Sequence, residues 1–327
     1  MPKMTLPTLP TPVPYTDDDL VISYSELDTY RQCPLKWFIA YKNRWTVEER
    51  DADSPLAKGS LWHAVMEAHY GVIRAWQLAH GGVAVALKDE GAVLKLARES
   101  VIPLLWETTG AQTENQTLIQ WMYEGYVERY GADRQWLILE VEYQLAEYLP
   151  APEGGDSEFI LKGKLDLIVM DVSTGKIWVI DHKSGANLPS QMDLEIDDQF
   201  GLYTWLMQHK GLKIMGAIHS ATRTTRNKAD FDDYVGNLKA QTLEQRMHRT
   251  YLNRGDVETL NIANDAFAVA VNAYPPKGME LPMYSSPDPR QCGWKCDMKE
   301  VHLLARAGRP LVMALKERGF VQDFRRH

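Results

Sequence analysis

Cysteine is scarce in this chain of 327 residues: there are three, too few and too odd a number for a disulfide framework. Long apolar runs are missing as well. No stretch approaches the roughly 18 residues of a membrane span, and no basic segment leads into an apolar core at the start, so neither span nor signal peptide is expected. A soluble, cytoplasmic protein with no membrane partner is the expectation. A basic excess is also lacking, since 36 Lys and Arg stand against 44 Asp and Glu for a net charge of −8. That argues against a general nucleic-acid coat, although carboxylates clustered for metals can mask a local basic groove. No GxxxxGK[ST] phosphate loop occurs, so an ATP-driven motor within this chain is not expected and a separate helicase or recombination partner stays open. With 45% hydrophobic residues the chain can bury a sizeable core. That core is expected as one large domain over 20–327, or as a core carrying a helical insertion at about 80–132.

What the chain does have is one stretch that organises the rest, Leu161 to Gly185, reading LKGKLDLIVMDVSTGKIWVIDHKSG. Apolar β-formers run from Leu165 to Met170 and from Ile177 to Ile180, and the link Asp171 to Lys176 carries the small polar residues of a hairpin. With Ser173 and Thr174 at the tip, Asp166 lies directly opposite Asp181. Facing carboxylates about 5 Å apart repel unless a cation lies between them, and a divalent metal is the natural one. Side chains alternate along a strand, so Asp181 and Lys183 share a face while His182 points the other way. A three-residue loop would shift the register by one and remove the facing pair. A surface hairpin with solvated aspartates is the plainer reading, but both strands are apolar on both faces, which marks buried strands where charges are costly.

The ordered set Gly163-Lys164-Leu165-Asp166, then Asp181-His182-Lys183, then Gln199 with Tyr203 four residues on, resembles the PD-(D/E)xK nucleases of the RecB type, which include the exonucleases of CRISPR adaptation modules. A lone D-x-K is a weak signal, whereas the ordered and correctly spaced set is specific. The resemblance implies an α/β, restriction-endonuclease-like core, a central mixed sheet flanked by helices. It also implies that Gln199 and Tyr203 help hold the substrate and the catalytic lysine. Taken alone, these two lie one turn apart on a helix expected over Ser190 to Gln208, and such a pair is also ordinary at a core edge.

The first nineteen residues hold five prolines and the acidic run Asp17 to Asp19, and a disordered tail is expected there. Ser23 to Glu26 reads as a capping box opening a helix that Pro34 ends at Cys33, with a second helix running through Trp37, Phe38 and Tyr41. A further helix is expected from about Lys58 to Trp76, with His63, Glu67 and Tyr70 on one face. Gly59-Ser60-Leu61-Trp62-His63 resembles the family segment whose histidine completes the metal site, and Glu67 is either a surface charge or a partner orienting the imidazole. Amphipathic segments at about Asp89–Trp106 and Asn115–Tyr130 form the expected helical insertion. Leu137 to Leu145 reads as a strand from which Glu140 or Glu142 could approach the metals, and Leu212 to Ser220 as another. Arg223, Arg226 and Lys228, then Arg246, Arg249 and Arg254, are candidate phosphate contacts, although exposed arginines on a helix are most often a solvated face.

Cys292 and Cys296 lie four apart, with His302 six further on and Cys33 far upstream. Three thiolates and an imidazole make a soft-metal set spanning 20–45 and 285–327. The family pattern has four cysteines around a four-iron cluster, so the resemblance implies a [4Fe-4S] iron–sulfur cluster held by Cys33, Cys292, Cys296 and His302, whereas Cys₃His alone suits zinc. Free cysteines with no metal are the alternative. Either metal would clamp the two chain ends together.

The expected chemistry is hydrolysis of DNA phosphodiesters by a metal-activated water. His63, Asp166 and Asp181, with the backbone carbonyl of His182, would hold one or two Mg²⁺ or Mn²⁺ ions, and Lys183 would orient or deprotonate the water and stabilise the transition state. The resemblance implies an exonuclease on single-stranded DNA or DNA with free ends. An endonuclease of the same fold, a non-catalytic DNA-binding subunit of a recombination or repair complex, and a hydrolase of small phosphate esters are the alternatives.

Overall fold

The computed structural model describes residues 6–16, 18–47, 54–106, 113–151, 157–231, 235–279, 284–288, 292–293 and 296–323. Its elements begin with β1 (Leu20–Ser23), α1 (Tyr24–Gln32), α2 (Pro34–Trp37), a π-helical turn (Phe38–Lys42) and β2 (Trp45–Val47). Three long helices follow, α3 (Pro55–Ala79), α4 (Leu87–Leu105) and α5 (Glu114–Tyr130), then β3 (Trp136–Tyr148), β4 (Phe159–Asp171) and β5 (Ile177–Gly185). After these come α6 (Gln191–Glu195), α7 (Asp198–His209), β6 (Gly216–Arg223), α8 (Leu243–Arg246), β7 (Met247–Asn253) and α9 (Asp256–Ala273). The chain closes with α10 (Lys299–Arg306), α11 (Leu311–Glu317) and β8 (Phe320–Gln322). No described helix is long and apolar enough to cross a membrane.

The chain forms two units. The first comprises Met1–Pro14, Ala52–Glu147 and Gly163–Ala263. In it β3 pairs with β4, β4 runs antiparallel to β5, β5 parallel to β6, and β6 antiparallel to β7. One face of this mixed sheet, with Leu167, Val169, Trp178, Ile180 and Ile218, packs on α3, α4 and α5. Trp62, Val65, Met66, Tyr70 and Ile73 recur at helical spacing along α3 and supply its buried stripe. On the opposite face Phe200 and Leu194 meet Ala217 and Leu252. The fold is α/β, a mixed central sheet flanked by helices.

The hairpin has the expected register, with Leu167 opposite Ile180 and Met170 opposite Ile177. Four residues, Val172 to Gly175, make the loop. Asp171 Oδ1 accepts from the backbone and hydroxyl of both Ser173 and Thr174, and Gly175 takes φ +68°, a conformation that glycine adopts without steric cost. The helix expected over Ser190 to Gln208 instead breaks into α6 and α7. Asp197 stops the run by accepting from the Gln199 N–H at 2.9 Å and capping α7. Part of the stretch read as a disordered tail lies on β3: the Val13 N–H donates to the Ala146 carbonyl at 2.9 Å, and the Tyr143 hydroxyl to that of Pro10.

A charged knot is buried in this unit. Arg249 of β7 donates to both carboxylate oxygens of Asp133 at 2.6 and 2.7 Å and to the Tyr126 hydroxyl at 2.7 Å. Tyr70 donates to the same carboxylate at 2.5 Å. The guanidinium lies 3.6 Å from the Tyr130 ring centroid and 4.5 Å from that of Trp136, and Asp133 is 1% exposed.

The second unit comprises Tyr15–Asp51, Tyr148–Lys162 and Asn264–His327. Here β1 runs parallel to Phe159–Lys162, the first residues of β4. Ser23 caps α1 by accepting from the Glu26 N–H at 3.3 Å. The Glu26 carboxylate accepts from Trp37 Nε1 at 3.0 Å and the Tyr274 hydroxyl at 2.5 Å, and it also interacts with the Ser23 backbone, the return half of the expected capping box. Strands β2 and β8 pair antiparallel over a small core of Ile39, Trp45, Met298, Val301, Leu315 and Phe320.

Candidate active site

Three elements of the first unit converge on one group of ligand atoms. His63 on α3, Glu142 on β3 and Asp166 on β4 present ligand atoms that all lie within 4.8 Å of one another. Asp166 Oδ2 lies 3.2 Å from His63 Nδ1 and accepts the backbone N–H of His182 at 2.7 Å. Burial works against the Asp166 charge, but His63 and the His182 N–H outweigh it and hold the carboxyl below its usual range. Burial likewise disfavours an imidazolium at His63, and Asp166 reverses this and raises it.

Glu142 reaches the group through its backbone. On a regular strand Glu140 and Glu142 would point to the same face. Glu142 instead has φ +53°, a left-handed conformation that costs a non-glycine residue about 1–3 kcal/mol. Glu140 pairs with Arg74 of α3 at 2.7 Å, while Glu142 turns to Asp166 and His63 and pairs with Lys164. Burial pushes the Glu142 carboxyl up. Strain at one residue is what separates the two glutamates.

Asp181 and Lys183 share a face of β5, and Lys183 Nζ donates to Asp181 Oδ1 at 2.9 Å. Asp181 is 3% exposed, and burial pushes it up to about 6 against the pull of Lys183. Burial opposes the Lys183 charge too, yet Asp181 outweighs it and holds the ammonium above its ordinary range. Asp181 Oδ2 is buried with no hydrogen-bond partner, an acceptor that a cation would satisfy. Asp181 lies outside the converging trio, which Glu142 joins in its place. The donor set of carboxylate oxygens and one imidazole fits a hard divalent cation.

Tyr203 and Gln199 stand one turn apart on α7, and the Gln199 amide donates to the Tyr203 hydroxyl at 2.9 Å. Tyr203 is near enough to feel Asp181 and Lys183, and burial pushes it up to about 12. Gly163 lets α7 come close, since a Cβ there would stand 2.9 Å from Leu206 Cδ1 and 3.3 Å from Tyr203 Cε1. The His182 ring points away from Asp181, stacks on Tyr70 at 5.5 Å, and is driven down to about 3 by burial. What it presents to Asp166 is its backbone N–H.

The other sequence candidates divide. Glu67 is exposed, whereas Tyr70, expected on the same face as His63, is in the buried knot with Arg249. Arg249 is therefore no phosphate contact, because its donors face Asp133 and tyrosine hydroxyls inside the unit. Arg246 is buried over Trp121 at 3.6 Å and donates to the Trp121 carbonyl. Arg254 donates to the Leu194 and Glu195 carbonyls. Arg223, Arg226 and Lys228 remain at the surface, with Arg226 4.2 Å from the Phe231 ring centroid. In the second unit Cys33, Cys292 and Cys296 are half-buried and unbridged. Among the described residues, they and His302 do not converge as ligands of a single ion, so the geometry for one zinc is not formed.

Strand alternation puts Glu140 and Glu142 on one face and cannot separate them. Asp133, two residues after the turn glycine Gly131, carries no signal of its role in the sequence.

No curated protein matches the sequence. Among solved structures, a "Putative exonuclease" from Eubacterium rectale is similar at 12% identity with a TM-score of 0.47, covering 89% of this chain and 88% of that one. SSO0001 is similar at 12% identity with a TM-score of 0.27, covering 72% and 85%. Residues 21–299 match the model of the PD-(D/E)XK nuclease superfamily, and with the match spanning most of its length, the chain belongs to that superfamily.

Proposed function

We propose that the protein is a metal-dependent deoxyribonuclease that hydrolyses phosphodiesters in DNA, acting as an exonuclease on single strands or free ends. The observation that carries this reading is the convergence of His63, Glu142 and Asp166 beside the Asp181–Lys183 pair, whose second carboxylate oxygen has no partner. His63, Glu142 and Asp166, with Asp181 Oδ2, would hold Mg²⁺ or Mn²⁺. Such an ion supplies a nucleophilic water at neutral pH and offsets charge on the phosphoryl oxygens.

Lys183 does the rest as a cation. An ammonium held above its ordinary range by Asp181 stays protonated at neutral pH and carries no free amine lone pair, which supports stabilising charge on the phosphoryl group over deprotonating the water. Tyr203, which interacts electrostatically with Lys183 and accepts from the Gln199 amide, would limit where the ammonium can go. The DNA strand is proposed to leave past Arg223, Arg226 and Lys228. Lys183 pairs with Ala221 in the β5–β6 register, and Arg223 lies two residues further along β6. The preference for ends and the iron–sulfur cluster at Cys33, Cys292, Cys296 and His302 rest on the family resemblance, and the cluster is checked by metal analysis and visible absorption.

The test is degradation of end-labelled single-stranded DNA with Mn²⁺ by the intact protein and by Lys183→Ala. Loss of label in the first and a rate lower by at least about 100-fold in the second is expected. Equal degradation places the activity elsewhere. Degradation of circular single-stranded DNA would replace the exonuclease reading with an endonuclease.

A further inference from the structure

We propose that Lys164 holds the place of the metal ion, pairing with Glu142 until a divalent cation displaces it, so that this lysine sets the metal affinity of the site. The proposal rests on reading His63, Glu142 and Asp166 as the cation site. It starts from a one-to-one matching of charges. Asp166 is paired with His63, Asp181 with Lys183 and Glu142 with Lys164. A cation ligated by the trio takes the same Glu142 carboxylate that Lys164 now pairs with.

The two lysines are placed differently. Lys183 contacts Asp181, outside the trio, and its ammonium can stay while the trio binds a cation. Lys164 contacts a member of the trio directly. Its side chain is 55% exposed whereas that of Glu142 is 12% exposed, so the ammonium can swing into water while the carboxylate stays. Water is a good solvent for a long flexible ammonium, and the half-buried carboxylate is the partner that needs a replacement cation. Glu67, exposed one helical turn beyond His63, also acts on both members of the pair and helps keep the ammonium nearby after release.

Removing the ammonium should tighten metal binding for two reasons that act in the same direction. Nothing has to be displaced from Glu142, and no positive charge stands beside the incoming ion. A purely structural role for Lys164 would not tighten binding.

The experiment is calorimetric titration of Mn²⁺, without DNA, into the full chain and its Lys164→Met, Lys164→Arg and Asp166→Asn variants. Thermal unfolding in chelator checks that each is folded. The expected result is binding that Asp166→Asn abolishes, that Lys164→Met strengthens about five- to tenfold, and that Lys164→Arg leaves within about twofold. If Asp166→Asn abolishes binding but Lys164→Met binds equally or more weakly, the role given to Lys164 is wrong and the metal site stands. If Asp166→Asn binds as the wild type does, the metal lies elsewhere and both readings fall.

Discussion

Arg249→Met should be among the most destabilising single changes in the chain while leaving DNA contact surfaces untouched. The guanidinium is the only cation paired with Asp133 among the described contacts, and the carboxylate is 1% exposed. Removing one partner of a buried pair leaves an uncompensated charge and costs about 3–5 kcal/mol. The Tyr126 hydroxyl loses a donor as well. For a domain of this size each kcal/mol lowers the melting temperature by about 2–4 °C, so a fall of roughly 10 °C is expected. Urea unfolding followed by tryptophan fluorescence would read the loss directly. Adding Asp133→Asn to Arg249→Met removes the stranded charge and should recover part of it, a coupling that a double-mutant cycle measures. An unfolding midpoint within about 1 kcal/mol of wild type, together with weaker DNA binding, would overturn this account and return Arg249 to the phosphate contacts that its sequence position first implied.

Asp181 carries a pH-dependent cost in the metal-free protein. Its carboxyl is neutral in both folded and unfolded states below the ordinary value of 3.8 and is pushed up to about 6 on folding, so stability is lost as pH rises between these values and levels off above them. The wild type should lose on the order of 2–3 kcal/mol across this window relative to Asp181→Asn, measured by denaturant unfolding in chelator, and parallel pH profiles would refute the assignment. Gly163→Ala brings a methyl within 2.9 Å of Leu206 and 3.3 Å of Tyr203. Tyr203 and with it Lys183 should shift, lowering cleavage about tenfold or more with little change in unfolding, and unchanged turnover would show that α7 does not position the lysine. Gly216 has φ +143°, and a Cβ there would stand 2.0 Å from the Leu252 carbonyl. Gly216→Ala should therefore yield little folded protein, and a normal melting curve would mean that β6 and β7 pair differently. Arg226→Ala with Lys228→Ala should weaken DNA binding at low salt and flatten its salt dependence by about two units of slope at most, read by fluorescence anisotropy in Ca²⁺.

The hairpin was legible because everything that fixes it is local. Two apolar runs, a link that ends in Gly175 and strand alternation together place Asp166, Asp181 and Lys183 at one end of two strands. His63 on α3 was legible only through resemblance, since its spacing on the helix says nothing of which strand it will meet. The break between α6 and α7 was not legible. Asp197 is a good helix cap but also an unexceptional interior residue, and its capping bond to Gln199 decides between the two only once the chain is folded. Arg246, Arg249 and Arg254 were misplaced for a related reason. A recurring arginine reads as a wet face, and the partners that bury these three, Asp133, Trp121 and the Leu194 carbonyl, are between 60 and 125 residues away in sequence.

The pairing of charges also accounts for how an acidic chain can handle a polyanion. Asp166, Asp181 and Glu142 in one small region would repel one another in the folded state. Each has its own cation, His63, Lys183 or Lys164, so the site can fold before any metal arrives. When the proposed ion binds, His63 becomes a neutral ligand and Lys164 swings out, so one divalent charge replaces two single ones and the three carboxylates stay balanced with Lys183 in place. What changes is position, because the positive charge is then concentrated on an ion at the point where the backbone must approach. Within a chain of net charge −8, local attraction for DNA then depends on the ion being present, and metal binding and substrate binding become coupled through electrostatics.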